Sequence, residues 1–130
     1  MEIFIQSKKR EELIDITSMV EEKIKISNGI VNLFVPHATA AITINENADP
    51  NLPLDISSFL KEKVKKGIWL HDRIDNNADA HIKSTLIGPS ITIPVSNKKL
   101  LLGTWQNIFF CEFDGPRKRK IIITEVKNEA

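Results

Sequence analysis

The C-terminal third of the chain is a succession of short segments rich in Ile, Leu, Val and Phe, each cut off by turn residues. That punctuation limits the fold more than any other feature. Ser90–Val95, Leu100–Leu102, Trp105–Phe113 and Lys118–Val126 read as strands, because β-branched and aromatic side chains suit a pleated surface. Asn97, Lys98 and Lys99 supply one polar turn, and Asp114, Gly115 and Pro116 supply the next, so these segments are expected to run as antiparallel hairpins.

Upstream, Glu2–Gln6 and Leu13–Ile16 read as two further strands. Gly29–Val35 and Ala41–Asn45 read as two more, separated by Pro36 and His37, a spacing that predicts neighbours joined by a bend or bulge. Ser18 followed by Glu21 has the form of a capping box and predicts a helix over Ser18–Ile26, stopped by Asn28 and Gly29. Behind Pro50 and Pro53, the residues Ile56, Phe59, Leu60 and Val64 recur at helical spacing, with Lys61, Lys63, Lys65 and Lys66 on a solvated face and Gly67 as the stop. A third helix is expected from near Ala78 through His81, Ile82 and Leu86 to Gly88 and Pro89. Three short helices inserted ahead of antiparallel or mixed sheet make an α+β fold.

A chain of 130 residues with 42% apolar positions suffices for one domain, residues 1–130, burying about 70% of its unfolded surface. Eighteen basic against seventeen acidic residues leave a charge of +1, so no whole-chain field draws it to nucleic acid or to an acidic membrane. The single cysteine, Cys111, forbids an intrachain disulfide and a cysteine-only zinc site and fits a reducing cytoplasm. Residues 1–7 carry Glu2 and few apolar residues ahead of Lys8, Lys9 and Arg10, unlike the charge-then-apolar order of a secretory signal. Apolar runs such as Leu100–Leu102 and Ile121–Ile123 are far shorter than the roughly 20 residues of a membrane-spanning helix.

Three histidines carry the metal-binding potential: His37 after a strand, His71 before Asp72, and His81 at a helix start. If the fold brings them together, they supply the three protein ligands of an open zinc site. No local His-x-x-x-His signature does this for them; otherwise each is a loop residue or a polar anchor. Asn45, Glu46, Asn47 and Asp49, and likewise Asp72, Asp75 and Asp79, crowd the same segments. They can fix an imidazole tautomer or act as bases, and equally they are the residues that turns and helix caps use.

Arg117, Lys118, Arg119 and Lys120 form the longest unbroken basic run. On a strand, Arg117 and Arg119 share one side and the lysines the other, so one pair can face a pocket. A guanidinium fork grips phosphate or carboxylate by two hydrogen bonds; the competing reading is an edge strand protected by charge. Without interleaved aromatics this run does not make a nucleic-acid footprint. Trp105 and Gln106 offer an aromatic wall and an amide that can orient a heteroaromatic ring. Taken alone, Trp105 reads as core packing, like Phe109 and Phe113, and Cys111 on their face reads as a small buried hydrophobe.

In sequence order, the blocks His37-Ala-Thr-Ala-Ala-Ile-Thr-Ile-Asn-Glu46-Asn, His71-Asp72, Asn77-Ala-Asp-Ala-His81, Leu86-Ile-Gly88, Gly103-Thr-Trp-Gln106 and Asp114-Gly-Pro-Arg117-Lys-Arg119 resemble those of the YjbQ-type family over nearly the whole chain. The resemblance implies a small α+β protein that assembles as a homotrimer, with weak thiamine-phosphate-synthase activity in some members. It singles out His37, Glu46, His71, His81, Gln106 and Arg117. In that reaction a pyrimidine diphosphate loses pyrophosphate while the ring nitrogen of a thiazole phosphate attacks the carbocation. The roles that follow are a divalent metal on the three histidines, with zinc favoured over magnesium, Arg117 or Arg119 on the departing phosphates, Trp105 stacked on a ring, and Glu46 or Gln106 orienting the reacting nitrogen. Two other functions fit the same residues: metal-assisted hydrolysis of a small phosphorylated compound, and a non-catalytic trimeric module that holds a metal or anion. Asn97, Lys98 and Lys99 depart from the Gly-containing turn of many relatives.

Overall fold

The computed structural model describes residues 1–129; the last residue of the expected 1–130 domain lies outside that span. Among the described residues there are eight strands: β1 (Glu2–Gln6), β2 (Glu12–Asp15), β3 (Gly29–Phe34), β4 (Ala40–Asn45), β5 (Ser90–Ser96), β6 (Lys99–Leu100), β7 (Asn107–Glu112) and β8 (Lys118–Lys127). The helices are α1 (Thr17–Glu21), α2 (Asn51–Lys63) and α3 (Ala78–Ile87), with a 3-10 turn at Leu70–Arg73. The fold is α+β, as expected, and every strand pairing is antiparallel.

The strands form two sheets, one in the order β1-β8-β3-β5-β6 and one in the order β2-β7-β4. Ile3, Ile5, Val31, Leu33, Ile93, Val95, Ile121 and Ile123 from the first meet Ile42, Ile108 and Phe110 from the second in the main core. The opposite face of the small sheet presents Ala41, Phe109, Cys111 and Phe113, which pack on Leu60 of α2 and Ala80 of α3. The layers are therefore large sheet, small sheet, helices. Strand β7 is covered on both faces, which is why its apolar residues run unbroken instead of alternating.

Two expected neighbours are not neighbours. β3 and β4 lie in different sheets, because Pro36 has no N–H to continue the ladder and residues 36–39 carry the chain across the core. β7 and β8 are likewise split between the sheets instead of forming a hairpin, so Asp114–Arg117 is a second crossing. That crossing is tight: a Cβ on Gly115 would lie 2.4 Å from the carbonyl oxygen of Lys9. Only β5 and β6 form the expected hairpin, through Asn97 and Lys98 at positive φ.

The first helix is shorter than the expected Ser18–Ile26, and no side chain caps it. After Glu21, Ile24 and Ile26 are half-buried between exposed Lys23, Lys25 and Ser27. That two-residue period packs an extended segment on the core where a helix would rotate one of the two away. The second helix begins at Asn51, placing Pro53 in its first turn, where a missing N–H is harmless. The third matches its expected span.

Candidate functional site

Residues 36–39 carry the chain between the two sheets, and this places His37 against β8. The backbone N–H of Lys120 donates to Nε2 of His37 at 3.0 Å. With that nitrogen accepting, the neutral ring carries its proton on Nδ1. Burial, helped by the positive charge of Arg119, pushes the His37 pKa below the ordinary imidazole value, so the ring is neutral at pH 7 and donates through Nδ1.

His37 lines two cavities. One, of about 390 Å³, has Ala38, Ala40, His81, Ser84 and Pro89 around it. The other, of about 200 Å³, is bounded by Phe4, Lys118 and Lys120. His81 lies in the first turn of α3 and its ring meets that of His71 edge to face, centroids 4.9 Å apart. His71 Nε2 is 3.5 Å from Asp75 Oδ2. The fold thus brings His81 to both other histidines, to His71 by ring contact and to His37 across a cavity.

The arrangement does not fit the expected three-imidazole zinc centre. The lone pair of His37 Nε2 is occupied by Lys120, and the other nitrogen carries the proton. Among the described residues no group of three His, Cys, Asp or Glu is set to hold an ion. His37 therefore offers a hydrogen-bond donor where the expected centre needs a lone pair, while Nε2 of His71 is buried with no hydrogen-bond partner.

The basic run also divides differently from the expected pairing. Arg119 shares the inward parity of Ile121 and Ile123 and is 3% exposed. Its Nε donates to Glu112 Oε1 at 2.9 Å, and its Nη2 donates to Glu112 Oε2 and, at 2.9 Å, to Thr39 Oγ1. Glu112 also accepts from Ser7 Oγ at 2.7 Å and from the Asp114 N–H at 3.0 Å. Burial alone would raise the Glu112 pKa, but these hydrogen bonds more than offset it and hold the carboxyl below its usual range. Arg119 is therefore a structural cation and not the phosphate ligand expected of it. Arg117 precedes the strand, exposed, with Nε on the Asp114 carbonyl at 2.9 Å and Nη2 on its carboxylate at 3.2 Å. Lys118 and Lys120 line the smaller cavity together with Arg119, whose guanidinium is committed to Glu112 and Thr39. Lys120 reaches Glu2 at 3.5 Å; Lys118 has no ion-pair partner among the described residues. The sequence carried the signal for this division, because Arg119 has the parity of Ile121 and Ile123.

Other expected site residues lie elsewhere. Register pairs Ala40 with Glu112 at one end of β4 and Asn45 with Asn107 at the other, roughly 17 Å away at the usual rise of a strand. Glu46 and Gln106 sit at that far end. The Glu46 carboxylate makes no hydrogen bond or ion pair among the described residues, while Gln106 Oε1 accepts from the Gly103 N–H at 2.8 Å and closes a turn. Trp105 is 63% exposed ahead of β7, so it is not the core residue its neighbours Phe109 and Phe113 are. Cys111 is the expected buried hydrophobe, its thiol pKa pushed up to about 12 by burial.

The acids of the polar loop are structural. Asp72 accepts from the Trp69 N–H and the Ala78 N–H, each at 3.0 Å, tying the 3-10 turn to the start of α3. Asp79 is buried and receives both Arg10 guanidinium nitrogens, at 3.1 and 3.0 Å, and Lys83 Nζ at 3.2 Å. Lys83, itself buried, also bonds Glu11. The sequence reading missed this cluster; the i, i+4 spacing of Asp79 and Lys83 is its only local trace.

No helix among the described residues is long and apolar enough to span a membrane. The family model described as "UPF0047 protein YjbQ-like" matches residues 1–128. The chain is 51% identical over 122 residues to a UPF0047 protein of Methanocaldococcus jannaschii, covering 92% of this chain and 88% of that one. It is 44% identical over 125 residues to the UPF0047 protein YugU of Bacillus subtilis, covering 92% of each. Among solved structures, a YbjQ-like protein of unknown function from Sulfolobus solfataricus superposes with a TM-score of 0.94 at 41% identity, covering 98% of this chain and 96% of that one. The chain belongs to the YjbQ-like UPF0047 family.

Proposed function

We propose that this protein binds a small phosphorylated compound in the cleft that His37 divides, and that it acts there as a thiamine-phosphate-synthase-like transferase. One observation carries the reading: a neutral imidazole with Nδ1–H to donate stands beside two lysines that face a cavity. That donor set suits an anion that gains charge as it leaves. Pyrophosphate departure asks for this kind of neutralisation and for no nucleophile from the protein, since the thiazole nitrogen forms the new C–N bond as the C–O bond to pyrophosphate breaks. Hydrolysis through a metal-bound water asks for imidazole lone pairs, which His37 does not offer, and is the weaker reading.

The separation of Glu46 and Gln106 from His37 favours a second element of the proposal, the homotrimer. Within one copy these groups cannot touch a ligand held at His37; at a subunit boundary, the far end of β4 in one copy can complete the cleft of the next. Phe4 and Trp105, 59% and 63% exposed, are apolar surface that such a boundary would cover. Without that completion the same cleft serves as an anion-binding module with no turnover.

Complementation of a strain lacking its thiamine-phosphate synthase tests the activity. Rescue by the natural chain, lost in His37→Ala and in Lys118→Ala but kept in Arg117→Ala, is the expected pattern. Failure of the natural chain to rescue, or equal rescue by His37→Ala, would remove the synthase reading.

A further inference from the structure

We infer that Ser84 is a ligand-binding residue that hydrogen-bonds the uncharged end of the bound molecule, while Lys118 on the other side of His37 takes the anionic end. This rests on the phosphate-binding reading above and adds which cavity takes which part of the ligand.

Ser84 is only 8% exposed, and its hydroxyl has no hydrogen-bond partner. A buried polar group left unmade is costly, and such groups in native proteins call for an explanation. Here the explanation is placement. Ser84 lies three residues after His81 on α3, on the same helix face, and both line the larger cavity beside His37. The neighbouring hydroxyl is spent, since Thr85 Oγ1 donates to the His81 carbonyl at 2.9 Å. Lys83 is committed to Asp79 and Glu11. Ser84 is thus the uncommitted hydroxyl of the cavity wall; its oxygen lies buried beneath the cavity surface, and rotation about χ1 to another staggered position is the movement that brings it to a ligand.

The two cavities differ in charge. Ala38, Ala40 and Pro89 wall the Ser84 side, where neither lysine nor arginine enters. Lys118 and Lys120 stand on the other side. A phosphate is therefore placed at the lysines, and the Ser84 side receives an uncharged group with a hydrogen-bonding atom, such as the nitrogen of a heteroaromatic ring. The ligand class that satisfies both is a phosphate ester of a small ring bearing an acceptor or donor nitrogen, with His37 at the junction.

Isothermal titration of the full chain with two probes, inorganic phosphate and 4-pyridylmethyl phosphate, tests this. The natural protein should bind the pyridyl ester about tenfold tighter than inorganic phosphate, the gain of one well-made hydrogen bond. Ser84→Ala should remove most of that preference and leave phosphate affinity unchanged. Lys118→Ala should weaken both probes alike. A melting temperature for Ser84→Ala at or above that of the natural protein is expected, since an unpartnered hydroxyl is removed; if that variant does not fold, Ser84→Cys takes its place in the titrations. Phosphate binding with a pyridyl preference that survives the loss of the hydroxyl, or with no preference at all, overturns the inference and leaves the phosphate site standing. Absence of phosphate binding to the natural protein overturns both.

Discussion

Nε2 of His37 accepts the backbone N–H of Lys120 at 3.0 Å, joining the crossing between the sheets to the third residue of β8. The bond consumes the ring's lone pair on that side, which fixes the tautomer and holds the imidazole between the two cavities. A residue that a sequence marks as a metal ligand is here a hydrogen-bond donor set by its neighbour's backbone.

Replacing His37 by Ala leaves the partly buried Lys120 N–H unpartnered and should cost about 1 kcal/mol. Urea denaturation should show this modest loss, while titration with inorganic phosphate should show at least a fivefold weakening. Undiminished phosphate affinity in a folded His37→Ala protein would contradict the donor role.

Metal analysis offers a direct check on the same geometry. Protein purified without chelator should carry well under one zinc per chain, and added zinc should not raise the melting temperature. Stoichiometric zinc, lost on His37→Ala substitution, would refute the hydrogen-bonding assignment.

Arg119 and Glu112 form a buried pair, and removing one partner strands the other charge in the core. Arg119→Met should destabilise by about 3–5 kcal/mol, whereas a combined Arg119→Met, Glu112→Leu change should recover much of the loss. Arg117→Ala, which breaks an exposed pair with Asp114, should change stability by no more than about 1 kcal/mol. Denaturant midpoints of the three variants distinguish these roles, and equal effects of Arg117 and Arg119 would disprove them.

Stability should decline with acid in two pH windows. The His37 pKa is lowered from 6.5, so the unfolded chain binds its proton first and stability begins to fall as pH drops below 6.5. The Glu112 and Asp79 pKa values are lowered from 4.5 and 3.8; the stability they contribute is whole above those values and is lost as pH falls through and below them. Denaturant midpoints measured from pH 8 to pH 3 should decline in both windows, and His37→Ala should abolish the first decline only. A midpoint that rises on acidification would reverse the assigned signs.

Cys111 lies among Phe109, Phe113 and Leu60, and burial holds its thiol protonated. A thiol reagent at pH 8 should label the native chain far more slowly than the chain in urea, and Cys111→Ser should cost about 1–3 kcal/mol by burying a hydroxyl in an apolar cluster. Rapid native labelling would show the face to be open.

Period and punctuation alone settled the local elements. The β-branched runs between turn residues became strands near their expected bounds, and Ala78–Ile87 became a helix because Gly88 and Pro89 stop it. The same reading made Cys111 a core residue, and the ordered blocks of polar residues pointed to the right family. Parity along β8 even contained the division between buried Arg119 and outward Lys118, once Ile121 and Ile123 are taken as the core face.

Pairing between segments was beyond such reading. β3 and β4, and then β7 and β8, are consecutive strands that enter different sheets, because whether a turn closes a hairpin or crosses a core depends on which face both strands can bury. That choice put His37 against Lys120, left Glu46 and Gln106 at the opposite end of β4, buried Arg119 on Glu112 and left the Ser84 hydroxyl buried without a partner in the wall of the larger cavity. Local propensity is a property of a few adjacent residues; the hydrogen-bond partner of an imidazole, and therefore its chemistry, is set by a strand eighty-three residues away.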